Sequence, residues 1–134
     1  MDKLKEFTEY LGLECGVDYW SEEAIDYAQV LLNQLGSEQW DELFANWASH
    51  DVRWQVRLAD ALSSCESSRA IDLLLLMLRS SILEVTVAAA ESLEGNDDVW
   101  EPDSSMRSLL QDLHDRVSEE DKYIFAILLG KIPD

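Results

Sequence analysis

The stretch at residues 51–62 reads DVRWQVRLADAL, and its apolar pattern occurs three times in the chain at a spacing of 31 residues. Val56, Ala59 and Leu62 have counterparts at Ile25, Ala28 and Leu31 and again at Val87, Ala90 and Leu93. A period in the range of about 20–50 residues is typical of stacked helical units, each of which needs its neighbours to bury its apolar face. The pattern therefore predicts a stack of helix pairs in which residues 51–62 form the inner helix of one pair.

The segments preceding these helices repeat as well, which extends the pattern to both members of each pair. Ser37, Trp40, Phe44 and Trp47 correspond to Ser68, Ile71, Leu75 and Leu78. Apolar residues at helical spacing predict eight helices, over about 3–13, 21–34, 38–48, 51–63, 67–78, 83–94, 104–117 and 118–131. Ser37, Asp51 and Ser118 are predicted N-caps, and Ser118 with Asp121 forms a capping-box pattern.

These helices are expected to form one domain, residues 1–134, of all-α architecture. We expect four antiparallel pairs, over about 3–35, 37–64, 67–94 and 104–132. An acidic loop at 95–103 precedes the last pair and breaks the period. An atypical terminal pair is expected because the end of a stack needs a polar outer face.

The net charge narrows the classes of partner. The chain contains ten Lys and Arg residues and 28 Asp and Glu residues, which gives a formal charge of −18. Binding to a nucleic-acid backbone needs cations that displace counterions, so this charge argues against a nucleic-acid partner, and it argues equally against an anionic membrane surface. The partner that such a field would attract is a basic protein. Like-charge repulsion also favours a monomer over a homo-oligomer.

Other features of the sequence favour a cytoplasmic protein without a cofactor. The N-terminal residues contain no apolar signal-peptide region, and the longest apolar run, residues 73–78, is too short for a membrane span. Cys15 and Cys65 are expected to be reduced and buried. His50 and His114 lack a Cys or His partner at metal-binding spacing, and no nucleophile elbow or glycine-rich phosphate loop is present. We therefore expect no metal, no cofactor and no enzymatic activity.

The inner helices resemble those of HEAT repeats. Residues 51–62 resemble the second helix of such a repeat, which reads Asp, two residues, Val-Arg and then an alanine-rich run that ends in Ala-Leu, and residues 85–93 resemble it one repeat later. The sequence departs from the pattern at Trp54, Gln55, Glu84 and Thr86. The resemblance covers residues 37–94 well, 18–36 weakly and 104–132 only in outline, and it implies an α-solenoid fold rather than a function.

In size, acidity and helical architecture, the chain is also similar to immunity proteins of bacterial contact-dependent and polymorphic toxin systems. Such proteins bind and neutralise a cognate toxin domain, often a basic nuclease. This similarity implies an inhibitor that occludes a basic toxin domain. Three alternatives remain: an adaptor that binds a peptide or partner protein, an acidic mimic of nucleic acid, and an enzyme. The enzyme is disfavoured because the HEAT-like DNA glycosylases need a positive groove.

Two surfaces are candidates for binding. The first is the polar face of the inner helices, where Glu22, Arg53 and Glu84 align in one row, Gln29, Asp60 and Glu91 in a second, and Asp26 and Arg57 in a third. The second is the acidic loop around Trp100, an aromatic residue of a type enriched at interfaces. The spacing of acids in this loop does not match an EF-hand. The predicted partner-binding residues are Asp26, Asp60, Glu84, Glu91, Asp97, Asp98, Trp100 and Glu101.

Each surface also has a structural explanation that the sequence leaves open. The rows of acids on the inner helices are equally compatible with a solvated helix face in which Arg53 and Arg57 satisfy neighbouring carboxylates. Trp100 is equally compatible with a side chain that folds back over the seventh helix. Trp20, Trp40, Trp47 and Trp54 lie on apolar faces and are predicted to belong to the core, with Trp20 and Trp54, near helix starts, as the two placed to reach its rim.

Overall fold

The computed structural model describes residues 3–12, 25–63, 65, 68–95, 100 and 102–132, and within these residues the chain is all-α, with no β-strand. The apolar periodicity of each segment produces the helix that it predicts, with bounds close to those expected. The eight α-helices of the described residues are α1 Lys3–Leu11, α2 Ile25–Asn33, α3 Ser37–Asn46, α4 Val52–Leu62, α5 Ser68–Met77, α6 Leu83–Gly95, α7 Arg107–Arg116 and α8 Lys122–Gly130. Short 3-10 turns are found at Trp47–Ser49, Ser104–Met106 and Glu119–Asp121.

The even-numbered helices contact one another in chain order. Helix α2 packs against α4, α4 against α6, and α6 against α8. Three of the odd-numbered helices flank this row, because α1 packs on α2, α5 on α6 and α7 on α8. Consecutive helices within each of these pairs are thus neighbours in space, as short connections favour.

The repeated alanines and leucines of the inner helices are buried to the same extent. Ala28, Ala59 and Ala90 are fully buried in α2, α4 and α6, and so are Leu31, Leu62 and Leu93 within 1%. Alanine at a helix contact lets two backbones approach closely, because the separation of helix axes depends on the side chains between them. The core cluster that contains these residues includes side chains from all eight helices.

Polar side chains tie the helices together inside this core. The indole N–H of Trp54 on α4 donates to the carbonyl oxygen of Thr8 on α1 at 3.0 Å. One turn further along α4, the buried Arg57 guanidinium donates to the carbonyl oxygen of Leu11 at 2.9 Å. Since the last carbonyl groups of a helix lack intrahelical partners, Arg57 satisfies one at the end of α1.

This position of Arg57 corrects the prediction that it belongs to a polar row on the exposed face. Arg53 likewise donates to the carbonyl oxygen of Gly12, at 3.3 Å, although its side chain is exposed. Two of the cations placed on the candidate binding face are therefore directed to the end of α1. Glu22, which is predicted to share a row with Arg53, lies outside the described residues.

The helix starts agree only in part with the predicted caps. The Asp51 carboxylate accepts from the Trp54 amide at 2.8 Å and caps α4 as predicted. Ser37 is not the N-cap of α3, because the helix begins one residue earlier and the Gly36 amide donates to the Gln39 side chain at 3.0 Å. The Ser118 hydroxyl donates to the Asp121 carboxylate at 3.2 Å and does not cap a backbone amide.

The predicted core tryptophans and cysteines fall as expected where the structure describes them. Trp40 and Trp54 are buried, and Trp47 is half-buried against the core. Cys65 is buried with its sulfur 3.4 Å from the side-chain oxygen of Asn33. Trp20 and Cys15 lie outside the described residues. Among the helices that the structure describes, none is long and apolar enough to span a membrane.

Candidate functional site

A groove of about 510 Å³ lies where α4 and α6 meet the connection between α7 and α8. Helix α4 contributes two residues one turn apart, and α6 contributes residues on one face at helical spacing. The third wall is the turn that leads into α8. The lining residues are Val56 and Asp60 from α4, Leu83, Glu84, Val87, Ala88 and Glu91 from α6, and Val117, Ser118 and Asp121 from the connection.

The groove combines apolar residues with four carboxylates. Val87, Ala88 and Val117 are buried, while Val56 and Leu83 are half-buried. Glu84 and Glu91 are exposed at either end of the α6 face, and Asp60 and Asp121 are half-buried. A long cationic side chain fits such a surface, because its hydrocarbon stem packs on apolar residues while its charged head reaches a carboxylate.

No cation of this chain occupies the groove. All ten Lys and Arg lie in the described residues, and none of them is among the lining residues. The nearest in sequence, Arg57, Arg116 and Lys122, each have a partner elsewhere. Arg57 donates to the carbonyl oxygen of Leu11 at 2.9 Å, Arg116 lies 3.4 Å from Asp112, and the Lys122 ammonium donates to the carbonyl oxygen of His114 at 2.6 Å. The charged residues that line the groove are therefore all acidic.

Tyr123 on α8 adjoins this groove and holds one of its acids. The Tyr123 hydroxyl donates to a carboxylate oxygen of Glu91 at 3.0 Å. This hydrogen bond to Glu91 raises the pKa of Tyr123 above its ordinary value of 10.0, and burial and the negative charges of Glu91, Asp121 and Glu94 raise it further. The contact orients Glu91 and places an aromatic side chain at the edge of the groove.

The structure brings together three of the predicted partner-binding residues and separates others. Asp60, Glu84 and Glu91 line the same groove. Asp26 is exposed on α2 but is not among the lining residues, and Trp100 is half-buried and packs against the core. Three further predicted residues, Asp97, Asp98 and Glu101, lie outside the described residues.

Sequence reasoning missed one acid and most of the apolar floor. The sequence predicts only a capping role for Asp121, although its pattern with Ser118 marks the turn that forms the third wall. The 31-residue repeat does not predict that this turn lies beside α4 and α6, because the last helix pair does not follow the spacing. Val56 and Val87 do follow it, although their spacing alone predicts core rather than a groove floor.

A second groove, of about 500 Å³, lies between α1, α3 and the turn at His50. It carries Lys5 as well as Glu9 and Glu42, so its charges are mixed. The His50 ring stacks on Trp54 with centroids 3.7 Å apart and an interplanar angle of 17°. Burial lowers the pKa of His50, and the neighbouring Asp51 opposes this shift.

The second histidine, His114, lies beside an acidic side chain on α7. His114 Nδ1 lies 3.5 Å from an oxygen of Asp115, and it has no hydrogen-bond partner in the described part of the chain. No group of three or more His, Cys, Asp or Glu side chains that would hold a metal occurs there either. Comparison with known protein families, curated proteins and solved structures gives no match for this chain.

Proposed function

We propose that this chain is a short HEAT-like stack that acts as an inhibitor of the immunity type, by holding a basic partner domain in the groove of α4, α6 and the α7–α8 turn. The observation that carries this proposal is the convergence of four carboxylates over an apolar floor without a lysine or arginine. The contacts of the even-numbered helices in chain order and the equal burial of the repeated alanines and leucines support the HEAT-like architecture.

The physics of the groove favours rapid and selective capture of a cationic surface. Complementary charge accelerates diffusional encounter and excludes acidic competitors, while desolvated contacts set the lifetime of the complex. An acidic groove repels nucleic acid and anionic lipid, so a basic protein is the proposed partner, with a toxin nuclease domain as the leading case. On this proposal the chain acts as a monomer in the cytoplasm and has no catalytic role of its own.

Affinity capture with matched charge variants tests the proposal. The groove variant D60N/E84Q/E91Q and the control variant E38Q/E42Q/D72N lose the same number and types of carboxylates. Wild-type and control proteins, immobilised and exposed to a lysate of the organism that encodes the chain, should retain a basic protein that the groove variant loses. Retention of the same proteins by all three would contradict the proposal.

The captured protein then distinguishes an inhibitor from an adaptor. If it is an enzyme, stoichiometric addition of the wild-type chain should abolish its activity, and the groove variant should not. An adaptor that binds without inhibition is the second candidate, since an open groove also suits a peptide. If the captured partner stays fully active in the complex, the result would favour the adaptor over the inhibitor.

A further inference from the structure

The exposed face of α8 is free of charge, although the protein as a whole carries a formal charge of −18. The exposed residues of α8 are Tyr123, Ala126, Ile127 and Gly130, which recur at i, i+3, i+4 and i+7. Tyr123 and Ile127 are 51% and 41% exposed. This stripe, which we call the α8 face, is therefore a continuous apolar strip along one side of the helix.

Single exposed apolar residues are normal on protein surfaces, but a strip of them beside a charged groove indicates an interaction site. The hydrogen bond from Tyr123 to Glu91 joins the α8 face to the acidic groove. The two surfaces thus meet at one residue pair, with apolar side chains on one side and carboxylates on the other.

We propose that the α8 face and the acidic groove together bind one amphipathic basic helix of the partner protein. The inference rests on the proposed function and specifies the partner element. Side chains at i, i+3, i+4 and i+7 are the contacts through which one helix packs along another. The apolar side of the partner helix would lie on Tyr123 and Ile127, while its lysine or arginine side chains reach Asp60, Glu84, Glu91 and Asp121.

Charge complementarity decides the choice of occupant. A second copy of this chain would bring the same carboxylates to the groove, so self-association is opposed by repulsion. A purely apolar helix would remove the exposed carboxylates of Glu84 and Glu91 from water and supply no cation, which is costly. A basic amphipathic helix satisfies both parts of the surface.

The experiment uses a synthetic amphipathic helical peptide of lysine, leucine and alanine, with oligolysine as a probe of charge alone. Binding kinetics are measured for the full chain and for three variants. The first is Y123A/I127A, which removes the α8 face. The second is V30A/L76A, which truncates two equally exposed apolar residues elsewhere. The third is the groove variant D60N/E84Q/E91Q.

The expected result is that Y123A/I127A weakens binding of the amphipathic peptide by about tenfold or more, chiefly through faster dissociation, since truncation of interface anchors acts mainly on the off-rate. V30A/L76A should bind the amphipathic peptide as the wild type does. The affinity for oligolysine should be the same for Y123A/I127A and V30A/L76A. The groove variant should lower the association rate and the dependence of binding on salt.

The outcomes separate this inference from the proposed function. If the groove variant weakens peptide binding but Y123A/I127A does not, the inference is wrong and the proposed function stands. If the peptide does not bind, or the groove variant and the charge-matched variant E38Q/E42Q/D72N bind it equally, both are wrong. Circular dichroism of Y123A/I127A checks that the variant retains the wild-type helix content, as the exposure of both side chains predicts.

Discussion

The Ser92 hydroxyl donates a hydrogen bond to the carbonyl oxygen of Ala59 at 2.7 Å, across the contact between α6 and α4. Both residues are buried, so neither group can turn to water instead. This bond joins two helices that carry the same sequence pattern at a spacing of 31 residues. It is one of the contacts that fix the relative position of Asp60 and Glu91, the residues next to Ala59 and Ser92.

Loss of this hydrogen bond should destabilise the fold. We expect Ser92→Ala to lower the free energy of unfolding by about 1–2 kcal/mol, because it leaves a buried carbonyl oxygen without this donor. Ser108→Ala on the exposed face of α7 is the control, since it reports the gain in helix propensity alone. Urea unfolding of both variants measures the difference, and equal stabilities would contradict the assignment of Ser92.

Arg57 should contribute far more to stability than Arg53, although both point to the end of α1. We expect Arg57→Met to cost about 2–3 kcal/mol, because the buried guanidinium bonds to a helix-terminal carbonyl and a hydrogen bond from a charged donor is worth more than a neutral one. Arg53→Met should cost less than about 0.5 kcal/mol because its side chain is exposed. Thermal or urea unfolding compares them, and similar losses for the two would show that the burial of Arg57 is not decisive.

The three repeated alanines should respond alike to added volume. Ala28→Val, Ala59→Val and Ala90→Val each insert two methyl groups where two helices meet, and each should cost about 1–3 kcal/mol from overpacking. The control, Ala45→Val on the exposed side of α3, measures the intrinsic helix cost of valine. Stability measurements that place any one of the three buried variants level with the control would argue against equivalent packing in the three inner helices.

The His50 stack should make stability depend on pH below neutrality. The pKa of His50 is lowered from 6.5 in the folded chain, so the unfolded chain takes up the proton first as the pH falls. The stabilisation that comes from the neutral His50 ring is therefore present above about pH 6.5. It is lost as the pH falls through the pKa that His50 has in the folded chain.

His50→Phe isolates this contribution, because phenylalanine keeps an aromatic ring on Trp54 and does not titrate. The free energy of unfolding of the variant, relative to that of the wild type, should increase as the pH falls from about 7 to about 5. The difference at about pH 8, where His50 is neutral in both states, gives the effect of packing alone. A relative stability that does not change with pH would contradict the direction of the pKa shift.

The sequence predicts the helices and their buried faces because both follow from local periodicity. Ala59 and Leu62 are buried for the same reason that their counterparts are, since each lies on the apolar side of a helix at the same place in the period. The convergence of Glu84 and Glu91 on one side of α6 is also predictable, because residues seven apart share a helix face.

The remainder of the site depends on tertiary contacts that periodicity does not encode. Arg57 occupies a polar position of the pattern, and only the placement of α1 shows that its side chain is buried at the end of that helix. Asp121 joins Asp60 because the α7–α8 turn folds against α4 and α6, where the repeat is broken. The uncharged face of α8 depends on which of its many apolar residues pack inward. The sequence does not predict these residues, because α8 is apolar on nearly all sides.

The most direct test of the central claim is to map the binding surface by NMR. Backbone amide shifts of the full chain are followed while the amphipathic basic peptide is added. The account predicts that the perturbed amides cluster around Asp60, Glu84, Glu91, Asp121 and Tyr123, and that the groove variant D60N/E84Q/E91Q removes the effect. Shifts spread over all acidic helix faces, or centred on the second groove at His50, would contradict it.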